Sequence, residues 1–148
     1  MDVEFRNAYD IDTQGTGWIV GHGGWLESGV SASGLRHMPQ QWCSRSMCLK
    51  WMHHPAGDPR GIDKPKSEGR TMSIMVSETG RFRLQFSRDP LFMPGEVVEH
   101  VFDRHGQCSI WGEGLYHRWF ADEECTILTL RWIPEPRPGF SSEERTRD

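Results

Sequence analysis

Apolar and polar residues alternate with a period of two through most of this chain, and glycine, proline or a charged pair interrupts the alternation at short intervals. The clearest segment is "RFRLQF" (81–86), which puts Phe82, Leu84 and Phe86 on one face and Arg81, Arg83 and Gln85 on the other. "RTMSIMV" (70–76) alternates as well, "SETG" separates the two, and together they predict a β-hairpin. Further strands are predicted at 43–54 ("CSRSMCLKWMHH"), 97–102 ("VVEHVF"), 107–111 ("QCSIW") and 126–132 ("TILTLRW"). Another is expected around Trp18 to Gly21, with His22 at its end, then a glycine-loosened turn and a short edge segment. In an extended 43–54 segment, Cys48, Lys50, Met52 and His54 share one face, and Leu49, Trp51 and His53 the other.

Between these segments the chain reads as loop. Residues 30–42 are small and polar, and 55–69 carries three prolines and three glycines without an apolar run, which predicts a long surface loop that covers or gates something. No clear helical period exceeds about two turns. About eight short strands favour a closed barrel or sandwich, so the expected class is all-β in a single domain. The barrel is expected over 16–133, after an N-terminal segment 1–15. Beyond Trp132 the apolar residues thin out, which predicts a flexible tail over 134–148 in which Phe140 could dock locally.

Length and composition narrow the function. A chain of 148 residues has room for one ordinary domain and therefore one principal site. Its net charge of −4 arises from mixed acidic and basic residues, without the footprint of a nucleic-acid binder or a polybasic membrane anchor. No apolar stretch is long enough to span a bilayer and the first ten residues are acidic, so the expected location is the cytoplasm. Cys43, Cys48, Cys108 and Cys125 form no CxxC pair and read as reduced, mostly packed thiols. Seven tryptophans and seven phenylalanines point to an aromatic core or an aromatic-lined cavity around a small-molecule partner.

One stretch has the spacing of a site. In "GQCSIWGEGLYH" (106–117), Gly106 closes a turn into a strand, Gly112 and Gly114 permit a chain reversal, and His117 begins the next strand facing a barrel interior. This spacing resembles the second cupin motif, with Gly112 in its usual proline position and Ala121 where an asparagine is common. "GWIVGH", "LKWMHHPAGDPR", "GRTMSIMVSETGRFRLQF" and "IWGEGLYHRWFADEECTILTLRW" resemble, in order and spacing, small bacterial proteins of the RmlC-like cupin superfamily, over residues 16–133. Some of these carry a signal-peptidase name. That chemistry needs a Ser/Lys dyad at a membrane anchor, and no segment of this sequence has the apolar length for one.

The resemblance implies a cupin, or double-stranded β-helix (jelly-roll), barrel. It also implies association as a homodimer through sheet edges or the N-terminal segment, and one small-molecule site at the barrel mouth near His54 and His117. The first cupin motif carries His-x-His, a glutamate and a glycine. Here His54 fills the second histidine position, Met52 replaces the first, and Ser73 occupies the glutamate position seven before Gly80. A complete set would hold Fe(II), Mn(II), Ni(II) or Zn(II). The candidate ligands of such a divalent metal are His54, His117 and His22, with His53 or Glu68 as other sources of the third.

His117 is the candidate catalytic residue, and His54, Trp51, Ser73, Trp111, Trp119 and Arg131 are the candidate ligand-binding residues. Each has a plainer reading: a histidine satisfied by backbone in a turn, a tryptophan in the core, an arginine in solvent. Arg131 alternates with Trp132, and only one of them can face the interior. Arg60, Arg70 and Arg83 could hold an anion or simply be solvated, and His37, His100 and His105 read as solvated positions. Three functions follow: a small-molecule binding barrel without strong catalysis; a metal-dependent dioxygenase, isomerase or lyase acting on a small organic acid; or metal-free acid/base chemistry by His54 or His117, for which the sequence names no carboxylate partner.

Overall fold

The fold was obtained as a computed structural model, which describes residues 1–13, 15, 17–21 and 41–139. These residues form an all-β, jelly-roll-like structure of two antiparallel sheets. The strands are β1 (Val3–Asn7), β2 (Trp42–His54), β3 (Arg70–Met75), β4 (Arg81–Ser87), β5 (Val98–Phe102), β6 (Gln107–Trp111), β7 (Tyr116–Glu123) and β8 (Cys125–Pro136). One sheet has the order β1-β6-β3-β8-β2 and the other β5-β4-β7. No helix of the described residues is long and apolar enough to cross a membrane.

The predicted hairpin 70–86 is not one. β3 pairs with β6 and β8, whereas β4 pairs with β5 and β7 in the opposite sheet. Alternation looks the same in both arrangements, because it reports a buried face and not the strand's neighbour. The chain changes sheets between Met75 and Arg81, where Gly80 has φ of 139° and a Cβ would come within 2.5 Å of the Cys125 Cβ. The interior-facing residues still meet: Met75 from β3 joins Phe82, Leu84 and Phe86 from β4 in one core with Phe102, Trp111, Trp119 and Ile127.

The inner face of the larger sheet departs from this apolar rule. Lys50, Thr129, Ser73 and Ser109 lie directly opposite one another across β2, β8, β3 and β6. The next inner row is Cys48, Arg131, Thr71 and Trp111. Inner faces of packed sheets normally interdigitate apolar side chains; here Ser73 bonds Thr129, Ser109 bonds His100 and Arg131 bonds Thr71, while Lys50 reaches solvent.

The N-terminal residues have two roles. Val3 to Asn7 extend the larger sheet as β1 beside β6, an element absent from the sequence expectations. Trp18 to Gly21 form no strand, correcting the expectation. Ile19 and Val20 instead lie on the outer face of the larger sheet, against a small cluster of Met72, Cys108, Ile110 and Trp132. The glycines on either side of the 17–21 segment and its lack of alternation leave it without a strand partner. The edge segment expected after residue 21 lies outside the described residues. At the other end, pairing of β2 with β8 carries the last strand to Pro136.

The 55–69 loop lies along β7, on the side of that strand away from β4. Gly57 N donates to Ala121 O (2.7 Å), Ser67 N to Leu115 O (2.8 Å) and Gly114 N to Ser67 O (2.9 Å). Asp58, Gly61, Ser67 and Gly69 are buried. A proline-rich segment cannot form a full ladder, and it covers the sheet edge with a short 3-10 turn, Pro59–Gly61, and isolated bonds.

Candidate functional site

A cavity opens between the two sheets, lined from the larger one by Lys50, His54, Ser73, Trp111, Ile127, Thr129 and Arg131, and from the smaller by Phe82, Leu84, His117 and Trp119. Its enclosed volume is about 30 Å³, room for one or two waters with the side chains as they stand, so an organic ligand enters only if lining side chains move aside. Strand periodicity explains the lining: alternate residues of β2, β7 and β8 all point inward.

His54 ends β2 and is 3 % exposed. Its Nδ1 lies 2.8 Å from Asp58 Oδ2, and that carboxylate is 1 % exposed. The Asp58 side chain also accepts from Arg60 Nε (2.8 Å), Arg60 Nη2 (2.7 Å) and the Arg60 backbone N–H (3.1 Å). Arg60, and then His54, hold the Asp58 carboxyl well below the usual carboxylate range. Burial lowers the His54 pKa from its ordinary value although Asp58 opposes the shift. The pair is therefore a neutral imidazole beside an ionised carboxylate. Nδ1–H donates to Asp58, and Nε2 keeps its lone pair.

His117 lies near the start of β7, with its ring 5.2 Å from Trp111. The indole N–H of Trp111 donates to Ser67 Oγ at 3.0 Å, and Ser67 Oγ lies 3.4 Å from His117 Nδ1. Burial, followed by the nearby Arg131, Lys64 and Lys50, pushes the His117 pKa down to about 4. His117 is thus a neutral ring in cationic surroundings.

The structure gathers His54, His117, Ser73, Trp111, Trp119 and Arg131 around this one cavity. Arg131 is the member of its pair that faces in, and its Nε donates to Thr71 Oγ1 at 3.0 Å; Trp132 packs on the opposite face. Trp51 does not belong: it is 66 % exposed, because its odd-numbered position on β2 points away from Lys50 and His54. His22 and His37 lie outside the described residues. His53 also points out, 3.8 Å from Glu124, and Glu68 is exposed, so neither supplies a third ligand. His100, expected in solvent, is buried against Phe5 and Phe86 with Nδ1 2.6 Å from Ser109 Oγ, because it shares the inward face of β5 with Phe102.

Sequence reasoning missed Asp58, Lys50, Thr129 and Ser67. Lys50 had a usable signal, two residues before Met52 and four before His54 on the same strand face. Asp58 had none, since its approach depends on how the proline-rich loop turns back.

A divalent metal does not fit the described residues. Among them no group of three or more His, Cys, Asp or Glu is placed to hold one. Ser73 has no charge to offer, and its hydroxyl is engaged 2.8 Å from Thr129 Oγ1. The two histidines share the cavity with Lys50 and Arg131, whose charges oppose a cation.

Neither a family model nor a curated protein matches this chain. Among solved structures it is similar to a prolyl-4-hydroxylase from Pseudomonas putida, with 17 % identity and a TM-score of 0.38 over 64 % of this chain and 55 % of that one. The chain therefore spans about half the length of that protein.

Proposed function

We propose that the protein is a cupin-type barrel that binds a small organic molecule in the cavity between its sheets, and that His54, oriented by Asp58, exchanges a proton with it without a metal. The observation that carries this reading is the buried His54–Asp58 pair at 2.8 Å on the cavity wall. It supplies the carboxylate partner missing from the sequence. Phe82, Leu84, Trp111, Trp119 and Ile127 suit the carbon skeleton of a ligand.

In this reading His54 Nε2 takes a proton from a carbon next to a carbonyl, and the electron pair of the broken C–H bond moves onto the carbonyl oxygen. The imidazolium is stabilised by Asp58 until it returns a proton to the same carbon. Asp58 is a positioning residue: it fixes the tautomer and offsets the charge that His54 acquires.

The test follows exchange of the C3 protons of 2-oxobutyrate for deuterium by NMR, with EDTA-treated protein. Wild type exchanges them above the buffer rate, and His54→Gln reduces this by about 100-fold, the usual scale for loss of a general base. Asp58→Asn is expected to lower the rate and move the acid limb of its pH profile. An exchange rate indifferent to His54→Gln, or one abolished by EDTA, would overturn the reading. If 2-oxobutyrate binds but does not exchange, the barrel is a binding protein and not a catalyst.

A further inference from the structure

We infer that Lys50 and Arg131 form an anion clamp on the inner face of the larger sheet, so that the ligand carries a carboxylate or phosphate group. This deepens the cavity reading above and rests on it. Lys50 lies opposite Thr129 in the β2/β8 register, and Arg131 follows Thr129 by two residues. The two cations are therefore diagonal neighbours on one face, positions about 7 to 8 Å apart in antiparallel sheets. Both line the cavity, and among the described residues no Asp or Glu lines it with them.

Like charges in adjacent rows repel, yet neither side chain makes an ion pair with a described acidic residue. Among the described residues the polar partner of Arg131 is Thr71, which holds the guanidinium in place through Nε and leaves its terminal nitrogens for another acceptor. Lys64 adds a third positive charge from the 55–69 loop, with Nζ 5.7 Å from the Trp119 ring centroid. Burial, then Lys64 and Arg131, lower the Lys50 pKa; the ammonium is thus less comfortable here than in water. Thr129 on β8 and Ser73 on β3 lie in the same row as Lys50, and whichever hydroxyl accepts in their 2.8 Å contact keeps its own O–H to donate to the same group. In a chain of net charge −4, this concentration of cations on one interior surface is local and not a reflection of composition.

An anion seated there relieves the repulsion and places the remainder of the ligand toward the tryptophans and His54. A divalent cation would be repelled by the same surface, which is why the histidine pair reads better as proton-transfer than as metal-ligating groups.

The test is calorimetric titration at fixed ionic strength, with chloride as the background salt. The probes are 2-oxobutyrate, its neutral amide 2-oxobutanamide and inorganic phosphate. Binding of 2-oxobutyrate at millimolar concentration, with the amide at least about ten-fold weaker, is the expected result. Lys50→Met and Arg131→Gln should each weaken the anion about ten-fold or more while leaving the amide unchanged. Binding of phosphate with the same dependence supports the clamp and assigns it to phosphoryl groups.

The clamp is overturned if acid and amide bind equally, if neither substitution affects the anion, or if no anion binds. Lys50 is exposed, so Lys50→Met can be read even where Arg131→Gln disturbs the fold. His54→Gln separates the two proposals: it should cut exchange about 100-fold and retain anion binding.

Discussion

At the scale of single residues, two departures from the cupin pattern have physical explanations. Where the motif favours proline, Gly112 uses its backbone N–H to donate to Asp2 O at 3.1 Å, which ties the first residues of the chain to the β6 end. Proline has no such donor. A Cβ at Gly112 would also come within 2.3 Å of Asp2 Oδ2. Gly112→Pro, restoring the motif, is therefore expected to destabilise the protein by about 1 to 3 kcal/mol through the lost hydrogen bond and the displaced Asp2 side chain. Urea unfolding monitored by tryptophan fluorescence measures it, and an unchanged midpoint would show that the Asp2 contact contributes nothing. The second departure is Ser73 in the glutamate position: it faces the cavity as that spacing implies, but contributes a hydroxyl bonded to Thr129 in place of a charge.

The element scale shows what the sequence makes legible. A period of two sorts side chains onto alternate faces, and motif spacing aimed His117 into the interior, but the pattern left open which of Arg131 and Trp132 faces in. It carries no information on strand partners. For that reason the 70–86 hairpin reading fails, although both of its strands exist. Trp51 shows the limit of motif proximity: it is three residues from His54, and an odd separation puts it on the other face. Loops are less legible still. The 55–69 segment reads as surface, yet it supplies Asp58 to His54 and Ser67 to both Trp111 and His117.

Gly61 shows how closely this loop is fitted. A Cβ there would lie 2.0 Å from the Trp119 backbone oxygen and 2.6 Å from two atoms of its ring. Because backbone cannot yield as a flexible side chain does, Gly61→Ala must move the loop, the tryptophan, or both. We expect a loss of about 1 to 3 kcal/mol and a red-shifted Trp119 emission, with weaker ligand binding because Trp119 walls the cavity. Wild-type stability together with unchanged emission would show that the loop is not seated on Trp119.

At the scale of the whole molecule, the described residues place His54, His100 and His117 in the interior among aromatic side chains, and this makes stability depend on acid. Burial alone depresses His100 to about 4, and burial with nearby cations does the same to His117. In the unfolded chain each ring takes up its proton near 6.5. Between about pH 6.5 and 4 the unfolded chain consequently binds more protons than the folded one, and stability rises with pH over that window. The contribution of the neutral rings is complete above about 6.5 and is lost as the pH falls toward 4. For His100, a shift of this size corresponds to roughly 3 kcal/mol at one ring. Replacing it removes one titrating site from the interior without touching the cavity wall. His100→Gln should therefore lower stability at pH 7, where the Ser109 contact and ring packing are lost, yet make the urea midpoint less sensitive to pH between 7 and 4 than that of wild type. Parallel pH profiles for the two proteins would show that His100 titrates normally in the fold. A flat wild-type profile would mean that neither His100 nor His117 is held neutral by the barrel, and the imidazole–carboxylate assignment at His54 would then need direct titration by NMR.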